Sequence, residues 1–141
     1  MKRPLLATSM TPFPHSVKLD ARIEDACALM STHSIRHIPV SDGLRVVGVI
    51  TDRDVKAAER LVPNLQTYPV SVAYVDAPYV VDIRTRMDEV LEEMVDRHIG
   101  SAIVTRRDKL VGIFTYVDAC RVFAAHIREL RGDDSGPDEA A

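Results

Sequence analysis

The stretch Gly48-Val49-Ile50-Thr51-Asp52-Arg53-Asp54 returns 64 residues later as Gly112-Ile113-Phe114-Thr115-Tyr116-Val117-Asp118. Each copy begins with apolar, strand-forming residues and ends in Thr-x-x-Asp, a pattern typical of the first turn of a helix. We therefore predict two equivalent strand-to-helix junctions. Each junction brings together a hydroxyl, a carboxylate and the free amide groups of a helix N-terminus.

The similarity extends well beyond the two junctions. When residues 14–54 are aligned with residues 78–118 without a gap, ten of the 41 positions are identical. Average composition would give roughly two or three identities by chance. We interpret the chain as an internal duplication. The identical residues of the first copy are Pro14, Val17, Arg22, Met30, Ile35, Val40, Val47, Gly48, Thr51 and Asp54.

Each repeat is predicted to fold as α-β-β-α, which makes the protein an α+β protein. Apolar residues at helical spacing predict helices over residues 23–30 and 87–95, with Asp20 and Thr85 as caps. Alternating and continuous apolar runs predict strands over residues 38–40, 46–50, 101–104 and 110–114. Asp42-Gly43 is typical of a hairpin turn, and further helices are expected to begin at Thr51 and Thr115.

Several local features refine this layout. Pro39 cannot donate a ladder hydrogen bond, so we expect its amide side to lie on a sheet edge. Val70, Val72 and Tyr74 alternate and suggest a short strand between the repeats. The predicted organisation is a first repeat over residues 1–60, a linker over 61–76, a second repeat over 77–131 and a disordered acidic tail over 132–141. Gly132 is expected to end the last helix at Arg131.

Composition limits the classes of function. The formal net charge is −3, and subtracting the −4 of residues 132–141 leaves about +1, so we expect no nucleic-acid binding. No apolar stretch is long enough for membrane insertion, and the N-terminus does not resemble a signal peptide. Cys27 and Cys120 are predicted to be small core residues without a disulfide framework, which favours a cytoplasmic location.

The junctions admit two interpretations. Thr-x-x-Asp is a helix-capping pattern, and capping alone would explain both copies. However, Gly48 and Gly112 precede the threonines within strands, where glycine often marks the close approach of a ligand or a backbone. A threonine hydroxyl beside a carboxylate suits the vicinal hydroxyls of a ribose, and helix N-terminal amides suit a phosphate.

Taken in order, these motifs resemble those of a tandem pair of CBS domains, also called a Bateman module. The first repeat carries Met10-Thr11-Pro12, then the runs at residues 35–40 and 47–54. The second repeat carries the runs at residues 99–104 and 111–118. The resemblance covers about residues 8–128.

The resemblance implies two repeats packed through their sheets with pseudo-two-fold symmetry, leaving two clefts that bind adenosine-containing ligands such as AMP, ADP or ATP. Thr51 with Asp54, and Thr115 with Asp118, would then hold ribose. The bases would lie against Val17, Ile38, Val81 and Ala102, and the phosphates near Arg53 and Lys56. The other implied ligand contacts are His37, Pro39, Ser101 and Ile103.

The second repeat departs from this pattern. Tyr116 and Val117 stand where the first repeat has Asp52 and Arg53, so its phosphate end lacks a cation. We therefore expect the first repeat to hold a multiply phosphorylated ligand and the second a less charged adenosine compound or none. The resemblance also implies a homodimer formed through helices, with the stripe Phe123, Ile127 and Leu130 as the candidate contact.

Other hypotheses remain open at the level of sequence. The repeats can serve as a dimerisation scaffold that binds no ligand, because fold does not imply function. A metal or redox sensor would have to use His15, His33, His37, His98, Cys27 and Cys120, which form no dense ligand cluster in sequence. No catalytic motif is visible, so we expect no enzyme activity and no required cofactor. The resemblance implies either signalling through dimer conformation to a separate partner, such as an enzyme or transporter, or sensing of energy state alone by a change in dimer geometry.

Overall fold

Two β-sheets, one for each repeat, form the centre of the fold. The computed structural model describes residues 3–43 and 45–133, so residues 134–141 of the predicted tail lie outside the described residues. The strands are β1 Thr11–Pro12, β2 Val17–Lys18, β3 His37–Asp42, β4 Arg45–Thr51, β5 Val80–Asp82, β6 Ser101–Arg106 and β7 Lys109–Thr115.

Helices flank both sheets. The described residues form α1 Leu6–Ser9, α2 Ile23–His33, α3 Asp52–Glu59, α4 Met87–Arg97 and α5 Tyr116–Asp133. Two short 3-10 helices, Leu65–Thr67 and Val70–Val72, lie in the connection between the repeats.

The predicted α+β class and the α-β-β-α order of each repeat are confirmed. The first sheet has the strand order β2-β3-β4 and the second the order β1-β7-β6-β5. Within each repeat an antiparallel hairpin is joined by a parallel strand that precedes the first helix. The predicted turn at Asp42-Gly43 forms with Gly43 at φ 65°, and the other hairpin turns through Arg107 and Asp108, also at positive φ.

The predicted helix caps are wrong. The residues that precede the first turns of α2 and α4 are Arg22 and Arg86, not Asp20 and Thr85. In α2 the Asp25 carboxylate accepts a hydrogen bond of 3.2 Å from the Arg22 amide. The Arg22 N–H, which the predicted Asp20 cap would have satisfied, is therefore satisfied by an acidic residue within the helix.

Pro39 does not lie on an edge strand, because β3 lies between β2 and β4. The pairing with β2 begins only at Val40, opposite Val17, so the missing N–H of Pro39 falls just beyond the paired stretch. In the second repeat the equivalent Ile103 amide donates a 2.8 Å hydrogen bond to the Tyr79 carbonyl.

The predicted strand at Val70, Val72 and Tyr74 is also wrong, since Val70–Val72 is a 3-10 helix. Val70 is fully buried in the first core, and its amide donates a 2.7 Å hydrogen bond to the Ala21 carbonyl. Burial of this one residue outweighs the alternating pattern, and only Val75 pairs with a strand, opposite Val49.

Two smaller expectations about helices also fail. Gly132 does not end α5, which continues to Asp133, because a glycine weakens a helix by about 1 kcal/mol without necessarily ending it. Cys120 is exposed on α5 rather than buried, whereas Cys27 is half-buried. Val95 lies on the exposed side of α4, because the helix buries only the stripe that contains Met87, Val90 and Met94.

The core of each repeat is completed by a segment of chain that leads into the other repeat. Residues 6–13 lead into β2 of the first repeat and pack on the second, and residues 70–77 lead into β5 of the second repeat and pack on the first. We call these the two leading segments. Leu6 is buried in the second repeat's core, and β1 pairs with β7 of the second sheet. Val70 is buried in the first repeat's core, and Val75 exchanges two backbone hydrogen bonds with Val49 of β4. The two repeats are therefore joined by exchanged segments as well as by side-chain packing.

Gly48 and Gly112 make room for these exchanged segments. A Cβ on Gly48 would overlap the Tyr74 ring and the Val75 carbonyl oxygen, and a Cβ on Gly112 would overlap the Met10 side chain. The sequence linked these glycines to the close approach of a ligand or a backbone. In the structure the neighbour is the leading segment that crosses from the other repeat.

The core has a part in each repeat and a third part between the sheets. The first two parts lie under the helices of their own repeats and contain Leu65 and Val70 or Leu6 and Phe114, respectively. The third part consists of Val49, Ile103 and Ile113, which join the two sheets face to face. The two repeats therefore pack through their sheets, as the family resemblance implied.

The outer surface of α5 carries an exposed apolar stripe. Phe123 is 66% exposed, and Ile127 and Leu130 are also exposed. Among the described residues, no helix combines the length and the apolar character that are required to cross a bilayer.

Candidate functional site

The first strand-to-helix junction forms at Thr51, where β4 ends and α3 begins. Thr51 is extended, and its hydroxyl accepts a 3.1 Å hydrogen bond from the Asp54 amide, which caps the helix. The same hydroxyl donates a 2.7 Å hydrogen bond to the Asp54 carboxylate. Capping thus occurs as predicted, and it holds the hydroxyl and the carboxylate side by side at the start of α3.

A cleft of about 700 Å³ lies beside this junction, between the two repeats. The first repeat contributes the end of β4 and the start of α3. The second repeat contributes the turn after α4, and the leading segment at residues 70–77 crosses between them. The lining residues are Arg36, His37, Val49, Thr51, Asp52, Arg53, Asp54, Val75, Ala77, Pro78, Tyr79, His98, Ile99, Gly100, Ser101 and Tyr116.

The cleft has two arginine side chains that form no ion pair with any carboxylate of the described residues. Arg36 and Arg53 line the cleft, and neither makes an ion pair within residues 3–43 and 45–133. Lys56 instead pairs with Asp52 at 3.1 Å and does not line the cleft. The cationic groups available to a phosphate are therefore Arg36 and Arg53.

His37 lies between the two repeats, against Gly100. A Cβ on Gly100 would stand 2.6 Å from His37 Nε2, so the glycine allows the imidazole to pack on the backbone of the second repeat. Burial lowers the pKa of His37 below its ordinary value of 6.5, and Arg36 lowers it further, while Asp54 opposes the shift. His37 is consequently held as a neutral imidazole over more of the pH range than an exposed histidine.

The second junction has the same local form but a different environment. The Asp118 carboxylate accepts hydrogen bonds from the Thr115 amide at 2.9 Å and the Thr115 hydroxyl at 3.2 Å. It also accepts from the Thr11 hydroxyl at 3.2 Å and from Arg121 at 3.2 Å. Asp118 is only 2% exposed. The Asp118 amide in turn donates a 3.4 Å hydrogen bond to the Thr115 hydroxyl, so the aspartate completes a reciprocal capping box here, although glutamate is the commoner residue in that role.

The cleft gathers only part of the set of residues predicted to contact ligand. It contains His37, Thr51, Arg53, Asp54 and Ser101. The predicted base-contacting residues lie in the repeat cores instead, and Pro39 and Ile103 are also buried. Thr115 and Asp118 meet at their own junction. The four core residues that were predicted to line the bases are Val17, Ile38, Val81 and Ala102.

Several cleft residues were missed by sequence reasoning. Tyr79, His98 and Tyr116 belong to the second repeat but line the cleft beside the first repeat's junction. Arg36 precedes the predicted strand over residues 38–40, and no local pattern marks it as a cleft residue. A signal existed in the predicted pseudo-two-fold packing, because two repeats that face each other must each contribute to both clefts.

The metal and redox hypothesis gains no support from the geometry. Within the described part of the chain, no three His, Cys, Asp or Glu side chains are grouped so that they could hold a metal ion. His15 stacks on His33 with ring centroids 3.9 Å apart, and the equivalent pair in the second repeat is Tyr79 with Arg97 over its ring. Burial raises the pKa of the Cys27 thiol, which makes it a poorer metal ligand.

Comparison with known sequences gives a family for both repeats. The sequence profile of the CBS domain matches residues 6–60 and residues 71–125. An uncharacterized protein of Bacillus subtilis (strain 168), YlbB, is 30% identical over 98 residues. That alignment covers 68% of this chain and 66% of the length of YlbB.

Comparison with solved structures gives the same fold. A Vibrio cholerae protein named for acetoin utilization, AcuB, superposes with a TM-score of 0.81 at 27% identity, covering 96% of this chain and all of its own. CBSX2, solved in complex with AMP, has a TM-score of 0.73 at 25% identity, covering 88% of this chain and 98% of its own. The CBS domain pair of MJ0100, solved with 5'-methylthioadenosine and S-adenosyl-L-methionine, has a TM-score of 0.80 at 23% identity, with coverages of 89% and 99%.

Proposed function

The chain belongs to the CBS-domain family as a tandem pair, and from this premise we propose that it is a regulatory module that binds an adenosine nucleotide. The nucleotide binds in the cleft beside Thr51 and Asp54. The observation that carries the proposal is the Thr51–Asp54 pair, which faces a cleft between the repeats together with two arginines that have no carboxylate partner among the described residues.

The ribose is the part of the ligand that the first junction suits best. The Asp54 carboxylate accepts one side-chain hydrogen bond within the described residues, from Thr51, so most of its acceptor capacity is available to the two ribose hydroxyls. The Thr51 hydroxyl is held in place by the same contacts that cap α3. A rigid pair of this kind loses little conformational entropy when a ribose binds.

The phosphates would lie towards Arg36 and Arg53. An arginine binds phosphate oxygens through two parallel hydrogen bonds, which gives stronger and more directional binding than a single ammonium group. Lys56, which the sequence nominated for this role, is paired with Asp52. We therefore assign the phosphate contacts to Arg36 and Arg53, and we favour ADP or ATP over AMP because two arginines can contact more than one phosphate group.

The base would lie against aromatic and apolar surface within the same cleft. Tyr79 and Tyr116 present aromatic rings, and Val49, Val75 and Pro78 provide apolar surface. The AMP held by CBSX2, at 25% identity to this chain, supports an adenosine compound as the ligand. The likeness to the MJ0100 pair supports the fold alone.

The remaining parts of the proposal concern assembly and signalling. We propose that two copies associate through the exposed stripe Phe123, Ile127 and Leu130 of α5, since burial of such a stripe is favourable by roughly 25 cal/mol per Å². Nucleotide binding then alters the geometry of the homodimer and is transmitted to a separate enzyme or transporter. In this proposal the protein acts in the cytoplasm, by binding rather than by catalysis.

Isothermal titration calorimetry with adenosine, AMP, ADP and ATP tests the nucleotide proposal. Asp54→Asn is expected to weaken binding at least tenfold, because an amide replaces a carboxylate that accepts two hydroxyl protons. The matched control is Asp88→Asn, which alters an exposed aspartate in the first turn of α4. Equal affinity of Asp54→Asn and the parent protein would remove the ribose assignment.

The scaffold hypothesis makes a different prediction for the same titration. One observation favours the scaffold hypothesis for the second repeat: the Asp118 carboxylate already accepts hydrogen bonds from donors of the protein itself. If the parent protein binds none of the four compounds, the scaffold hypothesis replaces the nucleotide proposal. A thermal shift that grows with ligand concentration would independently support binding.

A further inference from the structure

We infer that one residue of each leading segment helps to set how accessible the adjacent junction is to ligand hydroxyls. Thr11 closes the second junction by occupying the Asp118 carboxylate, and Val75 leaves Asp54 accessible at the first. The ligand in this inference is the adenosine nucleotide of the proposed function, on which the inference therefore rests.

The two residues occupy equivalent positions. Thr11 pairs with Ile113 of β7, and Val75 pairs with Val49 of β4. Both pairings are antiparallel, and each partner is the second residue of the repeated junction sequence. The two side chains consequently approach their respective Thr-x-x-Asp turns from the same direction.

The consequence for each carboxylate is different. The two oxygens of a carboxylate offer about four acceptor positions. Asp118 accepts from Thr11, from Arg121 and from both the amide and the hydroxyl of Thr115, and it is 2% exposed. A ribose could bind there only after displacing a protein donor. Asp54 accepts only from Thr51 among the described side chains and lines the cleft.

The chemical difference between the two positions is a single group. Threonine and valine have nearly the same shape, but the threonine carries a hydroxyl where the valine carries a methyl. The Val75 side chain therefore lines the cleft without competing for Asp54. Exchanging the two residues changes hydrogen bonding at each junction with little change in volume.

The test uses the full chain with Thr11→Val and Val75→Thr, and AMP as the calorimetric probe. The hydroxyl introduced at position 75 is expected to donate to Asp54 and to weaken AMP binding about fivefold. Thr8→Val is the matched control, since among the described residues the Thr8 hydroxyl donates only to the Leu5 carbonyl, three residues earlier in the chain. Unchanged AMP affinity in Val75→Thr would overturn the inference.

Amide hydrogen exchange provides a readout that does not depend on any ligand. Loss of the Thr11–Asp118 bond is expected to speed exchange of the Phe13 amide, which donates to Val111, about tenfold in Thr11→Val. If the Phe13 amide exchanged at the same rate in Thr11→Val as in the parent protein, the Thr11–Asp118 bond would not be holding the leading segment against the second junction, and the inference would fail there. If the parent protein binds no nucleotide, the proposed function fails, and the exchange measurement alone decides whether Thr11 closes the second junction.

Discussion

The two strand-to-helix junctions carry the same Gly-x-x-Thr-x-x-Asp sequence but have different surroundings. Asp54 lines a cleft between the repeats, whereas Asp118 is buried and bound by a threonine from the far end of the chain. The difference teaches that a repeated motif specifies the local turn and not its chemical availability. Availability depends on the segment that crosses from the other repeat, so each junction has to be judged with its crossing segment in place.

The largest expected effect compares the two aspartates. Asp118→Ala should lower the free energy of unfolding by about 3 kcal/mol, because the Thr115 amide and the Thr11 hydroxyl both lose a buried acceptor. Asp54→Ala should cost about 1 kcal/mol, since it removes one hydrogen bond and a favourable charge at a helix N-terminus. Urea unfolding monitored by circular dichroism measures both, and equal losses would contradict the difference between the junctions.

The next effect compares the two strand glycines. Gly48→Ala should lower the free energy of unfolding by about 2 kcal/mol, because its methyl group would collide with the Val75 backbone and the Tyr74 ring. Gly112→Ala should cost less than about 1 kcal/mol, because Met10 is a flexible side chain that can move aside. Thermal unfolding of the two variants, side by side, provides the measurement. The exchanged-segment explanation would fail if Gly112→Ala were the more harmful change.

A smaller effect concerns the charge difference between the junctions. Arg53→Gln is expected to weaken ATP binding about tenfold while leaving adenosine binding nearly unchanged, because in the proposed complex the arginine contacts only phosphate. The control is Val117→Ala, the equivalent position of the second repeat, which lines no part of the described cleft. A parallel loss of ATP and adenosine affinity in calorimetry would mean that Arg53 supports the fold of the cleft instead.

The smallest effect is a pH dependence confined to the first junction. Because burial lowers the pKa of His37, the unfolded chain binds a proton that the folded chain does not at pH values between the lowered folded pKa and the ordinary value of 6.5. His37 should therefore reduce stability as the pH falls through 6.5 towards its lower folded pKa, and His37→Gln should remove that loss. An NMR titration in which the His37 ring shows a pKa at or above 6.5 would refute this expectation.

The duplication and its regular elements could be predicted because each depends on local periodicity. The hairpin strands and the helices that begin at Ile23 and Met87 follow directly from apolar spacing. The conformation of Val70–Val72 could not be predicted in the same way, since one buried contact with the other half of the chain decides it. Propensity is a weak guide wherever a short segment is held by tertiary packing.

The candidate site was predictable in its motif and not in its surroundings. Thr51 and Asp54 were identified from spacing, and the structure brings them together with His37, Arg53 and Ser101. The state of Asp118 depends on Thr11, which is 107 residues away in the chain. No local pattern reports a contact of that separation. Lys56 lies one helical turn after Asp52, and the ion pair between them leaves Lys56 less available to a phosphate than its position in the helix suggests.

The exchange of leading segments has a consequence for any half of this protein. A chain cut between the repeats would keep residues 6–13, which complete the other half, and lose residues 70–77, which cover its own core. Such a half-chain can bury its apolar surface only if two copies exchange their leading segments, residues 6–13. We expect residues 1–69 expressed alone to sediment as a dimer and not as a folded monomer.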